Sequence, residues 1–446
     1  MELAVIGSGH VGLITATCLA ATGHRVRAQD VDKELIARLA GGEPPFLEPA
    51  LPELLWSVTT DGRLSFHLDQ SEAVSGASLI FLCVDTPNTG QGAVDISSLV
   101  SAAMGVLQHA EAGAAVVNRS TAPVGTATYL RSLAEEIREG EVAVAANPEF
   151  LAEGAAIGSF LAPDRLVIGA WDGEVAERIL RAYGPIVARA LPPDLPIEIR
   201  EQASGQVPVV TTDPQTAELI KYAANAFLAM KISFINEMAG IAEDLGADIT
   251  LLARAVGLDH RIGTSFLRAG IGWGGSCFPK DIEALQAMAE TRGLAARMLR
   301  AAHDVNVEQQ RWVMRKLQLH LKTLVGRKVG LLGLAFKPNT DDLRNAVSLE
   351  IASVLAGSNV RVRAYDPAIK ALPIELRETI QLADDPLSLA GGADALVVVT
   401  EWPEFAHLDL HQLAAAMRVP LLLDGRNLID PGAARAAGFM YAGVGR

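Results

Sequence analysis

The chain opens with LAVIGSGHVGLITATCLAATGHRVRAQD, residues 3–30, and this stretch decides the fold. It predicts a strand (LAVI), a glycine-rich turn, a helix and a second strand (HRVRAQD), which together make one βαβ unit. Gly7, Gly9 and Gly12 form a G-x-G-x-x-G pattern between the strand and the helix. In such a turn the first glycine makes the bend, and the second admits a pyrophosphate to the helix N-terminus. The opening therefore predicts a dinucleotide-binding domain, with a tight turn that binds nothing as the alternative.

Asp30 ends the second predicted strand. A carboxylate at this position accepts hydrogen bonds from a ribose 2′-hydroxyl and repels a 2′-phosphate. The sequence therefore favours NAD over NADP as the cofactor.

Further strands are predicted at residues 78–84 (SLIFLCV), 114–118 (AAVVN) and 141–147 (EVAVAAN), with helical patterns between them. Alternation of this kind predicts a parallel, doubly wound sheet. The Pro-rich stretch LPPDLPIEI, from Leu191, predicts a connection out of this domain, followed by a loop over residues 205–210.

From Pro214 to about Leu321 the pattern is helical, with pauses at Gly246, at Gly257 and in a cysteine-containing loop. Strand and helix alternation then returns near Arg327, and two segments echo the first half: HRVRAQDVD matches NVRVRAYDPA, and ASLIFLCVDTP matches ADALVVVTEWP. We predict an α/β fold of two Rossmann-like doubly wound domains joined by a central long-helix region. The predicted domains are residues 1–200, 201–320 and 321–446.

Composition narrows the class of protein. Of 446 residues half are hydrophobic and 5% are aromatic, which is typical of an α/β protein. A formal net charge of −14 argues against a nucleic-acid or membrane surface. Three cysteines give neither a disulfide framework nor a zinc ligand set, so we expect a reducing compartment and no metal. Without a signal peptide or a bilayer-spanning segment, the predicted location is the cytoplasm.

The run IGWGGSCFPKD, residues 271–281, places Cys277 in a glycine-dense loop directly before Lys280 and Asp281. Glycines let a ligand approach the backbone closely, and neighbouring cationic groups favour the nucleophilic thiolate. Cys277 is therefore a candidate nucleophile, and a buried structural cysteine at a turn is the alternative.

Lys221 and Asn225 lie four residues apart in a helical segment and share one face. A buried lysine can transfer protons and an asparagine can hold an oxyanion, whereas a solvated helix face is the alternative.

Glu149 and Glu153, in NPEFLAEG, and Thr121, in RSTAPVGT, each follow a predicted strand, where doubly wound sheets place ligand-binding groups. Solvated loop glutamates remain the alternative.

Five motifs in order, GSGHVG, NPEFLAEG, KYAANAFLAMKISFINE, RIGTSFL and GSCFPKD, resemble those of the UDP-glucose/GDP-mannose dehydrogenase family of nucleotide-sugar dehydrogenases. The resemblance covers essentially the whole chain. It implies two Rossmann-like domains joined by a long helix that also forms a homodimer. It also implies oxidation of a sugar C6 alcohol to the carboxylate with two NAD⁺ in turn.

By this resemblance Cys277 holds the substrate as a thiohemiacetal and then as a thioester, which water hydrolyses. The resemblance implies acid-base work or oxyanion stabilisation for Lys221 and Asn225, and activation or placement of water for Asp281 and Thr121. It implies that Glu149 and Glu153 position the sugar and assist hydrolysis. The remaining residues implied for the substrate pocket are Phe150, Leu151, Ala152, Arg261, Phe266, Leu267, Arg268, Ala269, Gly270, Gly274, Phe278, Lys337 and Arg426. Those implied for NAD are Gly7, Gly9, His10, Val11, Gly12, Asp30, Lys33, Thr86, Thr121, Glu153, Lys280 and Arg344.

Arg261 is expected to reach the substrate of the partner subunit. Four sites depart from the family pattern: Trp273 stands where Phe or Tyr is usual, and Leu35 replaces a basic residue near Lys33. Asp85 stands where Pro or Gly is more familiar, and Ala346-Val347 stands for Ser-Pro. Ser276 argues against a substrate with an N-acetyl group, because such relatives tend to carry histidine there.

We predict UDP-glucose as the substrate. Three alternatives remain open: another nucleotide sugar such as GDP-mannose or a UDP-N-acetylhexosamine, a two-electron hydroxyacid dehydrogenase, and an NAD-binding sensor without chemistry.

Overall fold

The computed structural model describes residues 1–89, 92–197 and 205–446. Its contacts divide the chain into two compact units, Met1–Ala224 and Asn225–Arg446. The predicted domain boundary between residues 200 and 201 lies outside the described residues. Within the described part of the chain, no helix is both long and apolar enough to cross a bilayer.

The described residues of the first unit contain one eight-stranded sheet of order β3-β2-β1-β4-β5-β6-β7-β8. Every neighbouring pair of strands in it is parallel except β6 and β7, which are antiparallel. The strands are β1 (Glu2–Ile6), β2 (Arg25–Gln29), β3 (Leu64–His67), β4 (Leu79–Leu82), β5 (Ala115–Asn118), β6 (Ala143–Ala146), β7 (Leu166–Ala170) and β8 (Val209–Thr212).

Helices cover both faces of this sheet, so β4 and β5 are buried along their whole length, as parallel strands usually are. Two separate apolar clusters, one against each face, form the core. The helices are α1 (His10–Ala21), α2 (Lys33–Ala40), α3 (Leu51–Thr60), α4 (Gln70–Val74), α5 (Ser97–His109), α6 (Thr126–Arg138), α7 (Ala156–Leu161), α8 (Gly173–Ala182) and α9 (Gly184–Val187).

The predicted long helix is α10 (Pro214–Leu245), which begins in the first unit and ends in the second. The other helices of the second unit are α11 (Ile249–Gly257), α12 (Phe278–Glu290), α13 (Arg297–Gln310), α14 (Trp312–Leu321), α15 (Val347–Gly357), α16 (Pro386–Ala390), α17 (Leu410–Ala416) and α18 (Pro431–Ala436), with 3₁₀ turns at Ile374–Leu376 and Pro403–His407. The predicted helical pauses at Gly246 and Gly257 coincide with the ends of α10 and α11.

A six-stranded parallel sheet of order β11-β10-β9-β12-β13-β14 forms the core of the second unit. Its strands are β9 (Lys328–Leu332), β10 (Arg361–Tyr365), β11 (Ile380–Leu382), β12 (Ala395–Val398), β13 (Leu421–Asp424) and β14 (Met440–Gly443). Its strand order repeats the order of the first six strands of the other sheet. The predicted α/β fold with two Rossmann-like sheets and a long helix is therefore confirmed.

The internal repeat extends to one carboxylate in each sheet. Asp30, after β2, accepts a hydrogen bond from the Ser8 amide at 2.7 Å, and Asp366, after β10, accepts from the amides of Leu334 and Ala335 at 2.7 and 2.9 Å. In both cases the acid fixes the turn that follows the first strand of its sheet.

One loop prediction is wrong. Residues 209 and 210 of the predicted 205–210 loop begin β8, which pairs in parallel with β7. This pairing depends on a partner strand more than 40 residues earlier, so local Pro and Gly content could not reveal it.

Candidate active site

The glycine turn of the first unit is shaped for a dinucleotide. A Cβ on Gly7 would lie 2.5 Å from the Cys83 carbonyl oxygen, and one on Gly12 would overlap the Gly7 carbonyl. A Cβ on Gly9, in contrast, would meet nothing within 4 Å. Gly7 and Gly12 are therefore needed for the turn itself, whereas the open face at Gly9 is where a pyrophosphate can approach.

Helix α1 begins at His10, and Gly9 before it provides no side-chain cap. The first amide groups of the helix therefore remain available to a phosphate, which the helix N-terminus also favours electrostatically. His10 and Val11 are half-buried at this end, so both border the predicted cofactor position. The residues present fit NAD.

Asp30 is half-buried. Its carboxylate accepts hydrogen bonds from the amides of Ser8 at 2.7 Å and Asp32 at 3.1 Å, which hold it beside the glycine turn. This places an acid where a ribose hydroxyl is expected. Lys33, the first residue of α2, is exposed nearby in sequence, while Leu35 packs against the apolar core.

Two predicted site residues meet where β4 and β5 end. Thr86 is buried, and its hydroxyl donates to the Thr121 carbonyl oxygen at 2.6 Å. Thr121 also lines a small cavity at the carboxyl ends of the strands. The other residues around this cavity are Asn118, Ser120, Ala122, Ala146, Pro148, Glu218, Lys221 and Tyr222.

Lys221 and Glu149 form a buried ion pair in the first unit. Lys221 Nζ lies 2.6 Å from Glu149 Oε1, and the two side chains are 5% and 6% exposed. These values contradict the alternatives of a solvated helix face and a solvated loop glutamate. Glu149 Oε2 also accepts the Leu151 amide at 2.6 Å, so both oxygens of the carboxylate are held.

Electrostatics keep this carboxylate ionised. Burial by itself raises the pKa of Glu149, but the charge and hydrogen bond of Lys221, the Leu151 amide and the charge of Arg119 together hold it below the ordinary value. A charged carboxylate and a cationic amine therefore stand side by side, out of water, and can exchange a proton with a bound ligand.

Glu153 and its neighbours form the rest of the predicted loop after β6. Phe150, Leu151 and Glu153 are half-buried and Ala152 is exposed. The loop thus offers both side chains and backbone to a ligand.

In the second unit, Cys277 ends the glycine loop and immediately precedes α12. It is half-buried, with Ser276 Oγ 3.5 Å from its sulfur. The N-terminus of a helix is electropositive and favours negative charge, so the thiol stands where a thiolate is stabilised.

Asp281, one turn into α12, is 1% exposed and connects two other predicted residues. Its Oδ2 accepts from Asn225 Nδ2 at 2.6 Å, and its Oδ1 lies 3.0 Å from Lys280 Nζ. The Asp281 amide donates to the Cys277 carbonyl oxygen at 2.9 Å. Asn225, Lys280, Asp281 and Cys277 therefore belong to one cluster.

The cysteine loop rests on the second sheet. The Ile271 amide donates to the Gly425 carbonyl oxygen at 3.0 Å, and Arg426 Nη1 donates to the Gly272 carbonyl oxygen at 2.9 Å. A Cβ on Gly274 would overlap the Asn345 carbonyl oxygen, which explains a glycine here. Arg426, predicted for the substrate, is thus tied to the loop that carries the thiol.

The other predicted pocket residues of this unit differ in exposure. Leu267 and Ala269 are buried in its core, as is Gly270; Phe278, Lys337 and Gly274 are half-buried; and Arg261, Phe266, Arg268 and Arg344 are exposed. The rings of Phe266 and Trp273 each lie 6.3 Å from that of Phe278. Trp273 itself is buried, and its indole donates to Ser233 at 3.0 Å.

Comparison with known families now identifies the chain. Residues 1–187, 215–308 and 330–431 match the NAD-binding, central and UDP-binding domains of the UDP-glucose/GDP-mannose dehydrogenase family. The chain belongs to this family. It is accordingly an NAD-dependent oxidoreductase.

Individual relatives agree. A UDP-glucose 6-dehydrogenase of Pseudomonas aeruginosa is 42% identical over all of this chain and 98% of its own length. Among solved structures, a UDP-glucose dehydrogenase of Pyrobaculum islandicum has a TM-score of 0.88 at 37% identity, covering 100% of this chain and 97% of its own. A UDP-D-ManNAc dehydrogenase of Pyrococcus horikoshii has a TM-score of 0.84 at 28% identity, covering 100% and 99%.

Three buried charged residues of this family member were missed by the sequence reasoning. Glu48 accepts the amides of Gly154 and Ala156, both at 2.7 Å, and so holds the turn after Glu153. Glu218 holds the start of α6, and Arg119 binds side chains on α1 and after β6. In sequence Glu48 carries no signal, since it lies in a loop between two helices.

Glu218 lies one turn before Lys221 on α10 and accepts the amides of Gly125 and Ala127, both at 2.7 Å. Burial raises its pKa, and the two amides partly oppose this. Its position in an otherwise apolar helical turn was the available signal. Arg119 lay within the quoted RSTAPVGT motif, two residues before Thr121, but nothing local indicated that it is buried.

Proposed function

We propose that this protein oxidises UDP-glucose to UDP-glucuronate with NAD, through a covalent intermediate on Cys277. The observation that carries the proposal is the half-buried thiol at the start of α12, beside the Asn225–Asp281–Lys280 cluster, in a member of this family. The identity of 42% to a UDP-glucose 6-dehydrogenase over the full length supports the choice of substrate.

The cofactor site is the glycine turn of the first unit. NAD, when bound, accepts a hydride in each of the two oxidations. The open face at Gly9 and the uncapped start of α1 bind the pyrophosphate, and Asp30 binds the ribose and excludes a 2′-phosphate. His10, Val11, Gly12, Lys33, Thr86, Lys280 and Arg344 complete the proposed contacts.

Cys277 retains the substrate between the two oxidations. The C6 alcohol first loses a hydride and a proton to give the aldehyde, and the thiolate adds to its carbon to form a thiohemiacetal. Loss of a second hydride from carbon, together with the hydroxyl proton, gives the thioester, and water then displaces the thiol and leaves the carboxylate. A covalent hold prevents release of a reactive aldehyde.

Lys221 and Glu149 handle protons in this scheme. Lys221 does acid-base work at the C6 oxygen, accepting a proton only in its neutral form, or stabilises the oxyanion as a cation, and its contact with Glu149 holds the amine in place. Glu149, Glu153 and Thr121 position the sugar and the water that hydrolyses the thioester. Asn225 and Asp281 act with Cys277, Asn225 on the oxyanion and Asp281 on the water.

The nucleotide-sugar is held by the second unit. Arg426 and Lys337 neutralise the diphosphate, and the segment from Phe266 to Gly270 lies along the nucleotide. Lys337 and Arg426 are half-buried and Phe266 and Arg268 are exposed, which supports this assignment because a ligand can reach them, whereas Leu267, Ala269 and Gly270 are buried.

A homodimer is part of the proposal. Phe227, Phe234 and Ile241 repeat every seven residues along α10, and they are 62%, 49% and 48% exposed. An apolar stripe at this spacing favours a helix of a second copy. Arg261, whose side chain is 78% exposed, then reaches the site of the partner subunit.

The division into residues 1–200, 201–320 and 321–446 is also proposed, and the matched family domains support it. A cytoplasmic location suits a reactive thiol, which must stay reduced. The product would supply glucuronate for polysaccharide biosynthesis.

The test is the ratio of NADH formed to UDP-glucose consumed, with the product identified by mass. Two NADH and UDP-glucuronate are expected. Turnover of GDP-mannose or a UDP-N-acetylhexosamine in place of UDP-glucose would reject the substrate and keep the mechanism, whereas one NADH per sugar would reject the thioester route.

A further inference from the structure

Arg119 is a buried cation at the centre of the first unit. It directly follows β5, is only 4% exposed, and lies 5.2 Å from the ring centroid of Phe160. Among the described residues no carboxylate oxygen comes within 4.0 Å of its guanidinium. Buried charges are normally neutralised by an ion pair. The charge of this arginine has no such direct partner and therefore acts on the groups around it.

Its hydrogen bonds go to two elements that hold predicted site residues. Nε donates to Thr15 Oγ1 at 2.9 Å, and Thr15 donates in turn to the Val11 carbonyl oxygen at 2.7 Å in the first turn of α1. Nη1 donates to Asn147 Oδ1 at 2.8 Å and to its carbonyl oxygen at 3.3 Å.

These contacts join two loops and the start of α1 at the carboxyl end of the sheet. Arg119 is two residues before Thr121, Asn147 is two residues before Glu149, and Val11 belongs to the pyrophosphate-binding turn. Asn147 is itself fixed, because its Nδ2 donates to the Val167 carbonyl oxygen at 2.8 Å and its Oδ1 accepts from the Tyr183 hydroxyl at 2.8 Å. A shift of the guanidinium would therefore disturb both loops and the start of α1.

Several titratable groups face this charge from the surrounding elements. Burial raises the pKa of Cys83, at the end of β4, to about 12 and that of Tyr183, after α8, also to about 12, although Arg119 opposes both shifts. Burial likewise raises the pKa of Cys18 on α1, which Arg119 again opposes and Glu48 reinforces. These three groups stay neutral near pH 7, so carboxylates are the groups that respond to the arginine.

Glu149 is the carboxylate that matters for the reaction. It faces Lys221 from α10 and Arg119 from the end of β5, and both cations oppose the effect of its burial. The charge of Lys221 changes during turnover if this residue does the acid-base work proposed for it, whereas a guanidinium stays protonated throughout.

We propose that Arg119 is a positioning residue, which holds the first turn of α1 and the loop carrying Glu149 in one arrangement and adds a permanent positive charge to the surroundings of Glu149. The inference rests on the proposed function, because it takes Glu149 as a group that works on the substrate. It predicts two separable effects, one of charge and one of hydrogen bonding.

The experiment compares Arg119→Lys and Arg119→Met across pH with UDP-glucose and NAD. Loss of the charge should move the acid limb of kcat to higher pH in Arg119→Met, so that activity falls severalfold at acidic pH and recovers at alkaline pH. Arg119→Lys keeps the charge, so its acid limb should stay in place while KM for NAD rises. Arg138→Met, which removes a peripheral arginine paired with Glu141, is the matched control and should leave the profile unchanged.

A near-isosteric variant tests the charge by a second route. Asn147→Asp places a carboxylate against Nη1 and opposes the charge of the arginine, so it should shift the acid limb in the same direction, although it also loses the hydrogen bond to the Val167 carbonyl oxygen. Equal pH profiles for wild type, Arg119→Met and Asn147→Asp would overturn the inference and leave the proposed function standing. So would an acid limb shifted as much by Arg119→Lys as by Arg119→Met.

A readout without substrate separates the two proposals. The folded-state pKa of Glu149 is lowered, so its stabilisation is present above the ordinary carboxyl pKa and is lost as pH falls. In Arg119→Met the folded-state pKa of Glu149 is lowered less, so a smaller stability should be lost on acidification and the loss should be complete at a higher pH. Adding Glu149→Gln should abolish the difference. If the melting temperature depended on pH in the same way in the wild type and in Arg119→Met, the inference would be overturned, even in a protein that does not turn over UDP-glucose.

Discussion

Replacing Lys221 by methionine should destabilise the first unit in a pH-dependent way. The change leaves the Glu149 carboxylate buried at 6% exposure, without the amine that now lies 2.6 Å from it. Breaking a buried ion pair from one side costs about 3–5 kcal/mol. For a unit of this size the melting temperature should fall by about 6–20 °C near neutral pH.

The direction of the pH effect follows from the pKa of Glu149. In the wild type Lys221 helps to lower it, so the stabilisation is present above the ordinary carboxyl pKa and is lost as pH falls through the folded value. In Lys221→Met burial dominates and raises this pKa, so protonation relieves the cost as the solution is acidified. The gap between the two melting temperatures should therefore be widest near pH 8 and narrow towards about pH 5.

Differential scanning fluorimetry across this pH range measures the gap. Lys231→Met, on the same helix but hydrogen-bonded to the Ile262 carbonyl oxygen at 3.1 Å, is the control and should show a small, constant shift. Adding Glu149→Gln to Lys221→Met should restore much of the lost stability. A gap that does not vary with pH, or no gap at all, would refute the buried ion pair.

Three further predictions concern the chemistry and the cofactor. Cys277→Ser should retain the fold but lose turnover by about 10³-fold or more, measured as NADH release, because no thioester can form; near-normal turnover would favour a two-electron enzyme. Gly9→Ala should leave the melting temperature unchanged and raise KM for NAD. Gly12→Ala should lower the melting temperature, because its Cβ would overlap the Gly7 carbonyl. Equal melting temperatures of the two variants would contradict the different roles assigned to Gly9 and Gly12. Asp30→Ala should lower the preference for NAD over NADP, measured as the ratio of kcat/KM values, and an unchanged ratio would exclude Asp30 from the ribose site.

Much of the fold was predictable because its signals are local. The apolar run before Gly7 and the echo between the segments around Asp30 and Asp366 follow from strand periodicity and from turn chemistry. Strand β8 was not predictable, since it exists by pairing with β7. Composition around Gly205 could indicate only a loop.

The site was predictable as a set of residues but not as a set of contacts. Lys221 and Glu149 were separate candidates, and their 2.6 Å ion pair depends on how α10 packs against the loop after β6. Glu48 and Arg119 were missed for the same reason, because a charged residue reads as a surface residue until tertiary structure shows what buries it.

The central claim is that Cys277 carries the substrate as a thioester. The most direct measurement is the intact mass of enzyme quenched with acid during a single turnover of UDP-glucose with NAD, followed by peptide mapping. The account predicts a transient mass increase equal to UDP-glucuronate less one water, located on Cys277, with two NADH formed for each adduct and no adduct in Cys277→Ser. Formation of two NADH without any covalent mass on the enzyme would contradict it.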